Sequence, residues 1–200
     1  MNELQAKWNA AYGSVDRQPE PARVLTANAH LLPAAGTALD LACGLGGNAL
    51  FLARRGLQVT AWDFSEVAIE RLHQQARSLG LALTAELRDV EREELPEAAF
   101  DVIVVSRFLT RRLADAIVAA LRPGGLLYYQ TYTRAKLTES GPNNLDYLLE
   151  DNELLRLFAA LRLRYYREDD RCGDLAQGLR DEAYYVGCKE VVANAKPRLG

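Results

Sequence analysis

Leu39-Asp40-Leu41-Ala42-Cys43-Gly44-Leu45-Gly46-Gly47-Asn48 decides the fold: a short apolar run carrying one carboxylate breaks into a glycine-rich turn and opens a second apolar stretch. Missing side chains at Gly44 and Gly46 let backbone approach a ligand closely, and free N–H groups at the start of a helix point toward it. The stretch reads as a buried strand, a ligand-binding turn and a helix.

Working outward, short apolar runs alternate with longer amphipathic stretches, the pattern of βαβ units around a parallel sheet. Strands are expected at Ala38–Ala42, Gln58–Asp63, Leu83–Leu87, Asp101–Ser106 and Leu126–Tyr132. Helix ends are marked by Gly56 after Phe51–Arg55, Gly80 after Val67–Leu79 and Pro123-Gly124-Gly125 after Ala114–Leu121, and Ser65 is a good N-cap. Asp151 is expected to cap a helix over Glu153–Leu161. Leu163–Arg167 and Ala183–Lys189 then read as strands of an antiparallel hairpin at one sheet edge. Ahead of the loop, about 36 residues form a helical lead-in with a helix from Pro21 to Leu32. The expected fold is α/β, a doubly wound Rossmann-like sheet of seven mainly parallel strands. The lead-in 1–36 belongs to the same domain as 37–192, and 193–200 is a tail.

At 200 residues, 49% hydrophobic and 26% charged, the chain can bury one sizeable core. A net charge of −3 without long like-sign blocks argues against broad electrostatic binding to nucleic acid. No apolar run approaches the ~20 residues of a membrane span, and the N-terminus lacks the pattern of a secretion signal. Cys43, Cys172 and Cys188 show no metal-ligand or disulfide spacing. A cytoplasmic chain with reduced thiols and no metal is expected.

Gly44-x-Gly46-x-x-Ala49 also fits the dinucleotide fingerprint, with Asp63 ending the next strand where a ribose-binding acid belongs. Charge separates the cofactors. Asp40 would repel the pyrophosphate of NAD and attract the ammonium and sulfonium of S-adenosylmethionine. Each candidate also has a structural alternative: glycines serving only a tight turn, Asp63 capping a helix, Asp89 as an ordinary loop acid, Cys43 as a small core residue.

With Asp40-x-x-x-Gly44-x-Gly46, Asp63, Asp89 and Leu121-Arg122-Pro123-Gly124-Gly125 in order, the sequence resembles class I S-adenosylmethionine-dependent methyltransferases over nearly its whole length. The resemblance implies a cofactor shell of Asp40, Ala42, Cys43, Gly44, Gly46, Asn48, Asp63, Phe64, Ser65, Asp89, Val90 and Ser106. Asp63 would accept the ribose hydroxyls and Asp89 the adenine amino group, Phe64 and Val90 would pack on adenine, and Arg107 would be the acceptor-side catalytic residue. Leu39–Gly44, Gly47-Asn48-Ala49, Val59–Asp63 and Trp8-x-x-x-Tyr12 look like the tellurite-resistance and thiopurine-type branch. Where that branch has Gly-Arg-Asn, this chain has Gly46-Gly47-Asn48.

Methyl transfer from a sulfonium is an in-line displacement, so the site must chiefly align its reactants. No general base is assigned; His30 falls in the lead-in helix and His73 on a helix surface. After the fourth strand stands Ser106-Arg107-Phe108-Leu109, not the Asn/Asp-Pro-Pro-aromatic or Pro-Cys motifs of nucleic-acid enzymes, which favours a small-molecule acceptor. Arg107, Arg111, Arg112 and Arg134, with Tyr128, Tyr129 and Tyr132, suggest an anionic or soft nucleophile such as a thiol or chalcogen oxyanion. The alternative has the arginines solvated and the tyrosines alternating into the core. An RNA or protein methyltransferase, an NAD-dependent oxidoreductase and a binding module without turnover stay open here.

Overall fold

The computed structural model describes residues 3–16 and 19–191. Seven strands form one sheet: β1 (Thr37–Leu41), β2 (Gln58–Asp63), β3 (Leu83–Leu87), β4 (Phe100–Ser106), β5 (Leu121–Tyr132), β6 (Arg162–Arg167) and β7 (Glu182–Cys188). Their order is β3-β2-β1-β4-β5-β7-β6. The first five are parallel, and β7 inserts antiparallel between β5 and β6. The chain reverses direction of winding between β1 and β4, and the carboxyl ends of these two strands open the crevice where such sheets bind ligands.

Side-chain alternation along the strands divides the interior in two. Ala38, Val59, Val102, Val104 and Tyr128 join Leu25 of α2 (Arg23–Ala27), Leu52 of α3 (Gly47–Arg54) and Leu72 of α4 (Glu66–Ser78) on one face. Leu39, Leu41, Ile103, Val105, Leu127 and Tyr129 join Ile117 of α5 (Ala114–Ala120) and Leu154 of α6 (Glu153–Leu157) on the other. Both faces of β1 and β4 are covered, so these strands read as near-continuous apolar runs. Asp40 is the fully buried exception, and it lies on the α3 side with Ala38.

Three expectations are corrected. The helix expected over Pro21–Leu32 is α2 plus a separate turn at Ala29–Leu31. Asn28 breaks it: its amide donates to the Val24 carbonyl (3.0 Å) while its own carbonyl accepts from the Tyr128 hydroxyl (3.2 Å). The helix expected over Glu153–Leu161 stops at Leu157, and Asp151 does not cap it. Left-handed Asn152 precedes it, and the Glu153 carboxylate turns back to accept from the Glu150 N–H (2.8 Å). The fifth strand begins at Leu121 rather than Leu126, with the Pro-Gly-Gly turn inside it. Gly124 N–H and Gly125 carbonyl bond to Lys189, whose ammonium ties the carbonyls of Val118, Ala119 and Leu121 that α5 leaves unpaired.

Ahead of α2, α1 (Glu3–Gly13) lies against α4 without burying any residue fully. No helix among the described residues is long and apolar enough to cross a membrane.

Candidate cofactor and acceptor site

The glycine-rich loop is set by left-handed backbone at Ala42, Gly44 and Gly46, at φ of 55°, 54° and 79°. Cys43 N–H donates to the Trp62 carbonyl (2.9 Å), and Gly46 N–H to the Cys43 carbonyl (2.9 Å). These bonds pin the loop to β2. Asp63 ends that strand, and its carboxylate accepts from Gly44 N–H (2.7 Å) through one oxygen and from Ser65 N–H (2.9 Å) through the other. Ser65 caps α4 as expected, accepting from Ala68 N–H (3.2 Å).

Asp63 is thus oriented with a free acceptor position on each oxygen beside a residue without a side chain. A Cβ on Gly44 would fill the space against the Tyr12 ring, within 3.0 Å of its hydroxyl. This is a cradle for a vicinal diol next to a close backbone approach, and the residues present fit the ribose and amino-acid ends of S-adenosylmethionine. Burial, the largest effect, raises the Asp63 pKa, partly offset by the backbone N–H groups of Ser65, Gly44 and Phe64.

Asp40 is arranged differently. It is fully buried and both oxygens are engaged, by the Asn48 amide (3.1 Å) and by Ala49 N–H (2.9 Å) at the start of α3. Burial pushes its pKa up to about 7. Its hydrogen bonds hold the start of α3. Asn48 in turn accepts from Ala22 N–H (2.7 Å), fastening the segment before α2 to the loop. Cys43 is buried with its thiol pKa raised, chiefly by burial and then by Asp40 and Asp63, so it fills space and is a poor nucleophile.

Gly47 answers the question raised by its missing arginine. The backbone of Pro19 and Glu20 passes over it, and a Cβ there would collide with the Glu20 carbonyl oxygen. Gly47→Ala is expected to displace this segment, unpair Ala22 and Asn48, and lower the unfolding free energy by about 1–3 kcal/mol in a denaturant titration. Gly13→Ala, which meets nothing within 4 Å, is the control. Equal stability of the two variants would refute this account.

The lead-in crosses the same end of the sheet. Gln5 donates to the Phe64 carbonyl (3.2 Å), Ser65 Oγ donates to Asn9 (2.6 Å), and Arg71 donates to the carbonyls of Tyr12 (2.5 Å) and Val15 (2.7 Å). Trp8 stacks on Tyr12 at 5.6 Å. The Tyr12 hydroxyl lies in the field of Asp63, Cys43 and Asp40, and burial followed by these neighbours raises its pKa. Asp89 turns toward its own loop, accepting from Glu91 N–H (3.2 Å) and pairing with Arg92 (3.4 Å). Val90 is buried beside it.

On the acceptor side the arginine cluster comes apart. Arg111 is spent on structural bonds to Glu153 (2.6 Å) and to the carbonyls of Asp146 and Leu148. Arg112 pairs with Glu91 and Arg134 with Glu150. Tyr128 and Tyr129 point into opposite cores, so for these the structural alternative holds. Arg107 stays at the crevice, just past half-buried Ser106, in left-handed backbone at φ 55°. Its Nε donates to Glu182 (3.2 Å), and its guanidinium carbon lies 6.0 Å from the Tyr132 ring centroid. Glu182 also accepts from the Gln130 amide (2.8 Å), and Gln130 accepts from Val24 N–H (3.0 Å). Sequence reasoning missed Glu182 and Gln130; only the antiparallel return of β7, pairing Tyr132 with Glu182, brings them here.

The family profile described as a methyltransferase domain matches residues 38–125. The Haemophilus influenzae protein named "Probable S-adenosyl-L-methionine-dependent methyltransferase TehB" is 29% identical over 66% of this chain and 48% of its own length. A ubiquinone biosynthesis O-methyltransferase of Xanthomonas axonopodis pv. citri is 31% identical over 57% of this chain and 50% of its own. The chain spans about half the length of these curated relatives. The crystal structure of TehB from Haemophilus influenzae is similar in fold, with a TM-score of 0.68 over 93% of this chain and 67% of that one, at 21% identity.

Proposed function

We propose that this chain is a class I S-adenosylmethionine-dependent methyltransferase that transfers a methyl group to a small-molecule acceptor, a thiol or a chalcogen oxyanion, a reading that the methyltransferase profile, the relatives and the fold support. The observation that carries the reading is the buried Asp63 carboxylate at the end of β2, aimed by Gly44 and Ser65 beside a residue with no side chain. S-adenosylmethionine, the family's cofactor, supplies when bound a methyl group on a positively charged sulfur. Asp63 binds the ribose hydroxyls. Gly44 admits the amino-acid end, which the buried charge of Asp40 attracts, while the missing side chain of Gly46 makes room for Leu72 of α4. Tyr12, on which Trp8 stacks, covers the loop at Gly44 and excludes water there, which strengthens the charge interactions beneath it.

Neither histidine is placed as a general base. His30 lies in the turn at Ala29–Leu31 and His73 midway along α4. A nucleophile that arrives deprotonated or is intrinsically soft suits such a site, and thiolates and chalcogen oxyanions are of that kind. The relative named TehB supports methyl transfer from S-adenosylmethionine.

Calorimetric titration with S-adenosylmethionine, S-adenosylhomocysteine and NAD tests the cofactor assignment. Binding of the first two alone is expected, and binding of NAD alone would overturn it. Turnover of thiols, selenite and tellurite, followed as S-adenosylhomocysteine formed, tests the acceptor. Arg107→Ala is expected to lower kcat/KM for the acceptor about tenfold or more, through loss of a charge-assisted hydrogen bond, with cofactor affinity unchanged. An equal loss of cofactor affinity would place Arg107 in the cofactor's own contacts.

A further inference from the structure

Among the four arginines near the acceptor side, Arg107 differs in what it leaves unbonded. Arg111 uses Nε and both terminal nitrogens on protein oxygens. Arg107 uses Nε alone, on Glu182, and its Nη1 and Nη2 have no partner among the described residues. Its side chain is 57% exposed while that of Glu182 is 11% exposed, so the pair has a buried holding end and an open presenting end. A guanidinium held at Nε offers its two terminal N–H groups side by side, the geometry that matches two oxygens of one anion.

Glu182 is suited to hold it. Its Oε1 accepts from Arg107, and its Oε2 accepts from Gln130 (2.8 Å) and lies 3.4 Å from the Tyr184 hydroxyl. A carboxylate can serve donors on both oxygens, whereas an amide has one oxygen and would set donor against donor. Gln130 is itself buried and fixed by Val24 at the start of α2. Backbone at Arg107 is equally determined: its N–H donates to the Gln130 carbonyl (2.7 Å) in a conformation that costs a non-glycine residue free energy. Strain of this kind persists where surrounding contacts over-determine it.

We propose that the Nη1–Nη2 edge of Arg107 binds two oxygens of an anionic group on the acceptor, a carboxylate or a chalcogen oxyanion, and that Glu182 and Gln130 are the positioning residues that aim it. This rests on the methyl-transfer reading for what the acceptor then undergoes, though anion binding can be measured without it.

The test follows the Arg107 Nε–H resonance by NMR, assigned by its loss in Arg107→Lys, in the protein with and without S-adenosylhomocysteine. Acetate and selenite are the probes, with chloride at equal ionic strength as control. A saturable shift with acetate or selenite and none with chloride is expected, and the tighter of the two identifies the source of the anion. Glu182→Gln should weaken that binding about tenfold, since one charge-assisted bond is lost, while leaving S-adenosylhomocysteine affinity unchanged. Tyr184→Phe, which removes only the 3.4 Å contact, should weaken it less and guards against misfolding of the first variant. No saturable shift in the wild-type protein overturns the anion site, and unchanged anion affinity in both variants overturns the positioning role. Failure to bind S-adenosylhomocysteine would sink the methyl-transfer reading alone, because the resonance still reports on the anion.

Discussion

Asp63→Ala is expected to raise the dissociation constant for S-adenosylmethionine by roughly ten- to a hundredfold, corresponding to about 1–3 kcal/mol. The loss has two parts. The ribose hydroxyls lose a charged acceptor, and the N–H groups of Gly44 and Ser65 lose the oxygens that now fix the loop. Asp63→Asn separates them. An amide oxygen can keep one of the two N–H donors, but its NH2 end faces the other. The Asn variant should therefore bind more weakly than wild type even though its size and the unfilled space at Gly44 are unchanged. Titration calorimetry at neutral pH reads both. Wild-type affinity in Asp63→Ala would show that the carboxylate serves only the turn, the structural alternative that its bonds to Gly44 and Ser65 also allow.

Much of this site could be read before the fold was known, because its parts are local. The turn from Asp40 to Asn48 and the acid at the end of the next strand are fixed by spacing along the chain, and βαβ geometry converts that spacing into proximity. Ser65 capping α4 is a three-residue relation to Ala68, and such relations survive in sequence. What escaped depends on distance or on missing periodicity. Glu182 and Gln130 meet across 52 positions, joined by a strand pairing whose register no local pattern announces. Helix α1 buries none of its residues fully, so it carries no apolar stripe, and its hold on the site comes from Gln5, Asn9 and Tyr12 acting singly. The arginine cluster comes apart for the opposite reason: proximity in sequence says nothing about partners, and Glu153, Glu91 and Glu150 pair with three of the four while Glu182 holds Arg107 through Nε alone.

Asp40 carries the other large effect, and its sign follows from where its pKa lies. An exposed carboxyl in the unfolded chain titrates near ~3.9, whereas burial, against the opposing pull of Asn48 and Ala49, pushes Asp40 up to about 7 in the folded protein. Between these values the folded state binds the proton that the unfolded state has released. Stability from this group is therefore fully present below about pH 4 and is lost as pH rises through about 7. Asp40→Asn should flatten that part of the stability profile, measured by denaturant unfolding across the window, and the raised pKa of Asp63 leaves a residual slope of the same sign. Asp40→Ala should cost about 2–4 kcal/mol at every pH in the window, because the Asn48 amide and Ala49 N–H are left buried without an acceptor. The same charge couples to the ligand. A cationic ligand favours ionised Asp40, so binding of S-adenosylmethionine near pH 7 should release protons, seen as a binding heat that varies with the ionisation enthalpy of the buffer. Asp40→Asn should remove most of that variation. A wild-type binding heat independent of buffer, together with an unchanged pH profile in Asp40→Asn, would mean that Asp40 is ionised throughout and serves the helix alone.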